Sequence, residues 1–356
     1  MAEATAPQRE FIFSRKDFEE VRKMIYDHAG IALSDAKEDM VYSRLARRLR
    51  ATGKRSFQEY LALIRAGHAE EWEAFVNSLT TNLTDFFREM HHFEILRAFL
   101  KTRRDRPITI WSSASSTGEE PYSIAMTAVE SLGGFGAPVE ILASDLDTNV
   151  LKKAADGVYP VDRLKKLNEA QQRQFFLRGT GDRSGMAKVK PELQSMVKYF
   201  RLNLLDATWS IRQPLDAIFC RNVMIYFDKP TQYAILKKMK PLLKPDGLLF
   251  VGHSEALYHA TDLFRLRGQT CTSMRKRRGV SESSRFRRSP RAQPLFRPQL
   301  QYRCGQDTAW RVLRDRPRHA PGHGAGVLRR RLHPRSENRH RGNESLHAAG
   351  KRRRPA

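Results

Sequence analysis

The sequence predicts an α/β protein: a doubly wound, mostly parallel sheet, preceded by an all-α domain and carrying a small antiparallel β insert. Three observations predict it. From residue 107 onward, short runs of β-branched and aromatic residues alternate with helical periods, the pattern of βα units. Between residues 11 and 78 the apolar residues recur only at helical spacing. At residues 175–200 the alternation breaks around Gly179, Gly181 and Gly185, as expected of a hairpin-like turn between short antiparallel strands.

The helical domain is read over residues 11–78. A run opening at Ser14 and Asp17 places Phe18, Val21, Ile25 and Ala29 on one stripe. A second helix over residues 41–50 puts Val41, Leu45 and Leu49 inside and projects Arg44, Arg47 and Arg48 from its other faces. Those arginines are either a solvated face or a docking face for an acidic partner, and charge pattern alone leaves both readings open. Ser56 caps a third helix, and residues 70–79 form a fourth.

Residues 79–106 are a polar linker and a connecting helix, with Phe86, Phe87, Phe93, Leu96 and Phe99 on its apolar side. The α/β domain follows over residues 107–276. Its first strand, at Ile108 to Trp111, runs into a small-residue turn and then a helix. Thr117-Gly118-Glu119-Glu120 fits a capping box, and Pro121 suits the first helical turn. A strand, a tight turn and a capped helix form a cradle for a nucleotide-like ligand, or an ordinary βα junction. Further strands are expected at residues 139–143, 215–220 and 248–252, the last after a Pro245-Asp246-Gly247 turn. A final strand pair is expected over residues 263–274.

The formal charge of +25 is unevenly placed. Residues 279–356 hold 19 Arg and 1 Lys against 5 Asp plus Glu, so most of the excess lies in the last fifth of the chain. This span has no apolar period and reads as a basic disordered tail. Its switch from Lys to Arg favours a non-native or frameshifted segment over an evolved nucleic-acid arm. Cys220, Cys271 and Cys304 show no CxxC or His/Cys spacing, so neither a disulfide framework nor a metal site is expected. There is no apolar run of membrane-spanning length, and residues 1–8 lack a leader's apolar core. A cytoplasmic protein is expected.

Several residues converge on the strand ends. Asp145 closes the second strand, about 27 residues after the cradle glycine, where an acid can bind ribose hydroxyls. Asp147 and Thr148 are the better capping candidates for the next helix. Arg221 and Asn222 follow a nearly all-apolar strand, and a charge there is costly unless it is paired or faces a site. Tyr226 comes close behind. Arg88 sits in the linker beside Phe86 and Phe87 and suits bidentate capture of a carboxylate. GxGxxG, the P-loop, GxSxG and HExxH are all absent, and Gly118 is the cradle's only glycine. A turn this poor in glycine leaves little room for a pyrophosphate, so an adenosine ligand without phosphates, such as S-adenosylmethionine, fits better.

Five blocks now carry a resemblance: LTTNLTDFFRE (residues 79–89), SSTGEEPYSIA (115–125), ASDLDTNVL (143–151), FCRNVMIYF (219–227) and LKPDGLLFVGHSE (243–255). In this order they resemble the chemotaxis protein methyltransferases of the CheR type, over about residues 11–276. The resemblance implies a Rossmann-like domain that binds S-adenosyl-L-methionine and leaves S-adenosyl-L-homocysteine after methylating glutamates of bacterial chemoreceptors, for sensory adaptation. It implies a cofactor site of Asn82, Thr84, Arg88, Glu120, Asp145, Asn203, Leu204, Arg221 and Asn222, with Arg88 and Tyr226 nearest the transferred methyl. It further implies that the helix bearing Arg44, Arg47 and Arg48 faces the receptor's methylation helices. The insert at residues 175–200 resembles a subdomain that grips a receptor's C-terminal peptide. A monomer recruited to receptor arrays, with no nucleic-acid partner, no membrane insertion and no metal, is the corresponding expectation. Two other readings were weighed: a methyltransferase acting on RNA or a small molecule, and a scaffold that keeps only the fold. The absence of Asn/Asp-Pro-Pro-Tyr after the fourth strand argues against N-methylation, and intact Arg88, Asp145 and Tyr226 argue against a scaffold.

Overall fold

The computed structural model describes residues 9–211, 214–267, 271–274 and 310–312. The helical domain comprises α1 (Arg15–Ala29), α2 (Glu38–Thr52), α3 (Phe57–Arg65) and α4 (Ala69–Leu79). A reciprocal capping box starts α1: Ser14 Oγ accepts from Asp17 N, and Asp17 Oδ2 accepts from Ser14 N. Ser56 caps α3 through Glu59 N at 3.2 Å. The expected stripe is the buried one: Phe18, Val21 and Ile25 pack with Val41, Leu45, Leu49 and Phe57 in one core, all removed from solvent. Each such side chain contributes about 1.5–3 kcal/mol through burial.

The connecting helix α5 (His91–Lys101) leads into β1 (Ile108–Ser112), α6 (Glu119–Leu132), β2 (Val139–Asp145), α7 (Thr148–Asp156) and β3 (Val158–Pro160). Next come α8 (Glu169–Phe175), β4 (Phe176–Gly179), β5 (Met186–Val189), α9 (Pro191–Gln194) and β6 (Val197–Arg201). The domain ends with β7 (Leu215–Cys220), α10 (Lys229–Met239), β8 (Leu243–Val251), β9 (Phe264–Arg267) and β10 (Cys271–Met274). The main sheet has the order β6-β2-β1-β7-β8-β10-β9. Its first five strands are parallel, and β10 and β9 add an antiparallel edge, so the expected fold class holds.

Alternation along the strands fills both faces. Ile108, Ile110, Ala217, Phe219, Leu248 and Phe250 point to the side covered by α5 and α6. Trp111, Leu142, Ile218, Leu249 and Val251 point to the side of α10, against Ile235, Leu236 and Met239. Helix α6 is buried nearly all round, and its serine and threonine hydroxyls donate within the helix. Ser123 Oγ donates to Glu119 O, Thr127 Oγ1 to Ser123 O, and Ser131 Oγ to Thr127 O. Asp216, the acid inside β7, accepts from Thr109 N at 2.9 Å and Lys244 Nζ at 2.8 Å.

Three local expectations are corrected. Val197 does not belong to the antiparallel insert, because β6 lies on the main sheet with Val197 opposite Ile141 and Arg201 opposite Asp145. Val197 and Phe200 are both buried on that sheet. The insert instead recruits β3, in the order β11-β4-β5-β3, where β11 is Trp310–Val312. Second, Pro245-Asp246-Gly247 is absorbed as an irregularity of β8, where Leu215 pairs with Leu243 but Ala217 with Leu248. Third, residues 310–312 form a strand within the span expected to be disordered. The rest of residues 279–356, with Cys304, lies outside the described residues. Among the described residues no helix is long and apolar enough to cross a membrane.

Candidate active site

The chain runs from β1 to β2 and β6 on one side, then returns to β7 on the other side of β1. That reversal opens a crevice at the strand C-termini, the place where open α/β sheets bind ligands. A cavity of about 230 Å³ lies there. Its walls come from Ser113, Ala114 and Ser116 after β1, and from Asp145 and Leu146 at the end of β2. Asn203 and Leu204 follow β6, and Arg221, Asn222 and Tyr226 follow β7. The linker adds Asn82, Thr84 and Arg88, and the helical domain closes the cavity with Ala29 and Leu33. All nine residues expected at a cofactor, and Tyr226, thus line one space.

Gly118 makes the cradle possible. Its φ is +97°, and an added Cβ would lie 2.8 Å from Tyr159 Oη and 2.9 Å from Ala154 Cβ. The capping box expected here does not form: Gly118 itself is the N-cap, with no side-chain bond. Glu120 turns into the fold, where Oε1 accepts from Ser112 Oγ at 2.8 Å and Oε2 from Arg221 Nη1 at 2.9 Å. Burial pushes the Glu120 carboxyl up, against the opposing pull of Arg221. Glu120 therefore lines the cavity as the partner of a buried arginine. Asp147 does cap its helix, accepting from Asn149 N and Val150 N.

Arg221 is buried, and its two terminal nitrogens meet that cost through Glu120, the backbone carbonyl of Arg88, and Glu89 Oε2 at 3.5 Å, while Nε has no hydrogen-bond partner. Arg88 differs. Its Nη1 donates to Leu83 O at 2.8 Å, and no carboxylate among the described residues pairs with it. Asp145 accepts from Ser116 N at 2.8 Å and Asp147 N at 3.0 Å, and burial pushes its carboxyl up to about 6. Burial also acts to raise Glu89, but His253, Arg221 and Asn222 outweigh it and bring that carboxyl down to about 2.

The site is also where the two domains meet. Asn203 Nδ2 donates to His28 O at 2.7 Å and Ala32 N donates to Tyr226 O at 2.9 Å, and in the linker Asn82 Nδ2 donates to Asp147 Oδ2 at 2.8 Å. Among the described residues, four other than glycine have positive φ: Phe87, Glu89, Ser116 and Asn222. Two line the cavity and two flank Arg88, so backbone strain is concentrated around this space. Sequence reasoning missed what holds it in place. Glu255, buried after β8, accepts from Asn222 N (2.8 Å), Met224 N (2.7 Å) and Gly252 N (2.6 Å). The only sequence signal was an acid three residues after Gly252.

The arginines of α2 do not form the open face the sequence suggested. Arg48 makes a two-pronged pair with Glu71 at 2.9 and 2.6 Å, and Arg44 Nη1 donates to Thr80 O at 2.6 Å at the end of α4. Both are consumed in holding α2 to α4, and Arg47 stays exposed.

A cavity with an acid at the end of β2, apolar walls at Leu146 and Leu204, and its buried arginine neutralised internally suits a nucleoside that carries no phosphate. Comparison with known proteins gives the same class. Residues 82–272 match the family described as CheR methyltransferase, SAM binding domain, and residues 16–80 match its all-alpha domain. The protein is an S-adenosylmethionine-dependent methyltransferase with a Rossmann-like sheet. The chain belongs to the CheR methyltransferase family. It is 53% identical over 267 residues to chemotaxis protein methyltransferase 2 of Pseudomonas aeruginosa, covering 74% of this chain and 95% of that protein. Against the chemotaxis protein methyltransferase of Escherichia coli it is 51% identical over 260 residues, 73% and 91% of the two chains. The plantazolicin methyltransferase BpumL, solved in complex with SAH, superposes with a TM-score of 0.30 at 11% identity, over 66% of this chain and 61% of that one.

Proposed function

We propose that the protein methylates glutamate side chains on the cytoplasmic part of chemoreceptors, giving glutamate methyl esters for adaptation in chemotaxis. One observation carries the reading: Arg88 lines the same cavity as Tyr226, with no carboxylate partner of its own among the described residues. A guanidinium in that position accepts an incoming carboxylate by a two-pronged pair. Relatives at half identity bear the name chemotaxis protein methyltransferase, which supports the same substrate class.

The cofactor supplies an activated methyl on a sulfonium. A glutamate is already ionised near neutral pH, so no general base is required of the protein. The chain's task is placement. Arg88 orients the carboxylate, and Tyr226 shapes the wall next to it. Glu120 and Arg221 fix the Arg88 backbone from below, and Asp145 with Asn203 holds the nucleoside. Asn82, Thr84, Leu204 and Asn222 complete the cofactor wall. The receptor's methylation helices meet α2 at Arg47, and the small sheet receives a receptor C-terminal peptide. The protein acts as a monomer at receptor arrays.

The test is methyl transfer from labelled S-adenosylmethionine to a purified receptor cytoplasmic fragment. Label released as methanol in alkali is the expected result. Alkali-stable label would point to an N-methyl product and overturn the assignment.

A further inference from the structure

Strand β11 pairs antiparallel with β4, setting Trp310 opposite Gly179, Arg311 opposite Arg178 and Val312 opposite Leu177. Without it, β4 would present an open edge of unpaired N–H and C=O groups, which is a template for another strand. The seat is specific as well as open. Trp310 lies across from a strand glycine, the pairing in which an aromatic side chain covers the gap a missing side chain leaves. Gly179 must stay glycine, because a Cβ there would lie 2.0 Å from Arg183 O. The indole is half-buried, with Arg183 Cζ 5.8 Å and Lys188 Nζ 5.9 Å from its ring centre. The occupant is also extra to the family fold, since the family match ends at residue 272.

We infer that residues 310–312 hold the β4 edge shut in cis, so a peptide joining the small sheet must first displace this chain's own strand. The regulatory consequence rests on the receptor-peptide reading above; the occupancy does not. Three residues pair among those described. A covalent tether sets the competing local concentration on the order of millimolar.

The test uses the full chain and a fluorescein-labelled peptide of residues 306–314 (QDTAWRVLR), read by anisotropy. Trp310→Ala with Arg311→Pro removes the ring and places proline inside the paired strand, where it disfavours pairing. This variant should bind the peptide roughly tenfold more tightly than the unaltered chain. Equal affinity would overturn the occupancy, and no binding to either chain would overturn the docking edge. S-adenosylmethionine affinity is the folding control, because none of residues 310–312 lines the cavity. A second variant works in the opposite direction. Arg178→Cys with Arg311→Cys places two thiols on directly paired, exposed positions. Oxidation should abolish peptide binding and reduction restore it; binding unchanged by oxidation would overturn the inference. Neither arm reads methyl transfer, so failure of the receptor reading leaves both outcomes intact.

Discussion

Replacing Glu255 is the sharpest test of how this site is held. Its carboxylate accepts three backbone N–H groups from two segments, with Oε2 serving Asn222 and Gly252 and Oε1 serving Met224. In Glu255→Ala all three donors lose their partner inside the fold. Each unsatisfied buried donor costs about 1–3 kcal/mol. The ionised carboxylate was itself expensive to bury, as the upward push on its titration shows, and that relief offsets part of the loss. A net destabilisation of about 3 kcal/mol is expected. Glu255→Gln should cost about half as much: its one carbonyl can still serve Asn222 and Gly252, but its NH2 then faces the Met224 donor. Urea denaturation measures both. Because Asn222 lines the cavity at φ +57°, calorimetry should also show weaker S-adenosylmethionine binding in the same order, Ala worse than Gln. A loss under 1 kcal/mol for Ala with unchanged cofactor affinity would refute the reasoning.

Arg88→Ala should cut turnover on a receptor fragment at least a hundredfold while changing cofactor affinity little; a fall in affinity alone would make it a binding residue. On the reading proposed above Asp145 binds ribose hydroxyls as a carboxylate, and burial pushes that carboxyl up to about 6. Cofactor affinity should therefore be flat above that pH and fall roughly tenfold per unit below it, and Asp145→Asn should weaken binding and flatten the profile in calorimetric titrations. Gly118→Ala combines positive φ with a Cβ pressed on Tyr159 and Ala154, and should cost about 3 kcal/mol in urea denaturation.

What the sequence revealed follows the reach of the forces involved. Local patterns were readable: the Phe18–Val21–Ile25 stripe, the Ser14 and Asp147 caps, and the apolar β7 with a charged residue at its end. Arg221 was placed by cost, since a charge ending a buried strand requires partners. Its partners, Glu120 and Glu89, could not be read, because each pair joins segments about a hundred residues or more apart. The capping box expected at Glu120 failed for the same reason: it is a local rule, and a buried arginine across the crevice outcompeted it. Val197 has the same β propensity on either sheet, so only the register with Ile141 decides. Arg48 looked free because Glu71 lies 23 positions away.

The contacts between the helical domain and the strand ends have a thermodynamic consequence. Asn203 and Tyr226 each contribute a wall to the cavity and a hydrogen bond to the helical domain. A ligand filling that cavity touches both sides of the seam at once, so pulling the domains apart also ejects the ligand. By mass action, cofactor at a hundred times its dissociation constant adds about 2.7 kcal/mol to the work of separation. Cofactor bound in this cavity would act as a non-covalent staple between the helical and α/β domains.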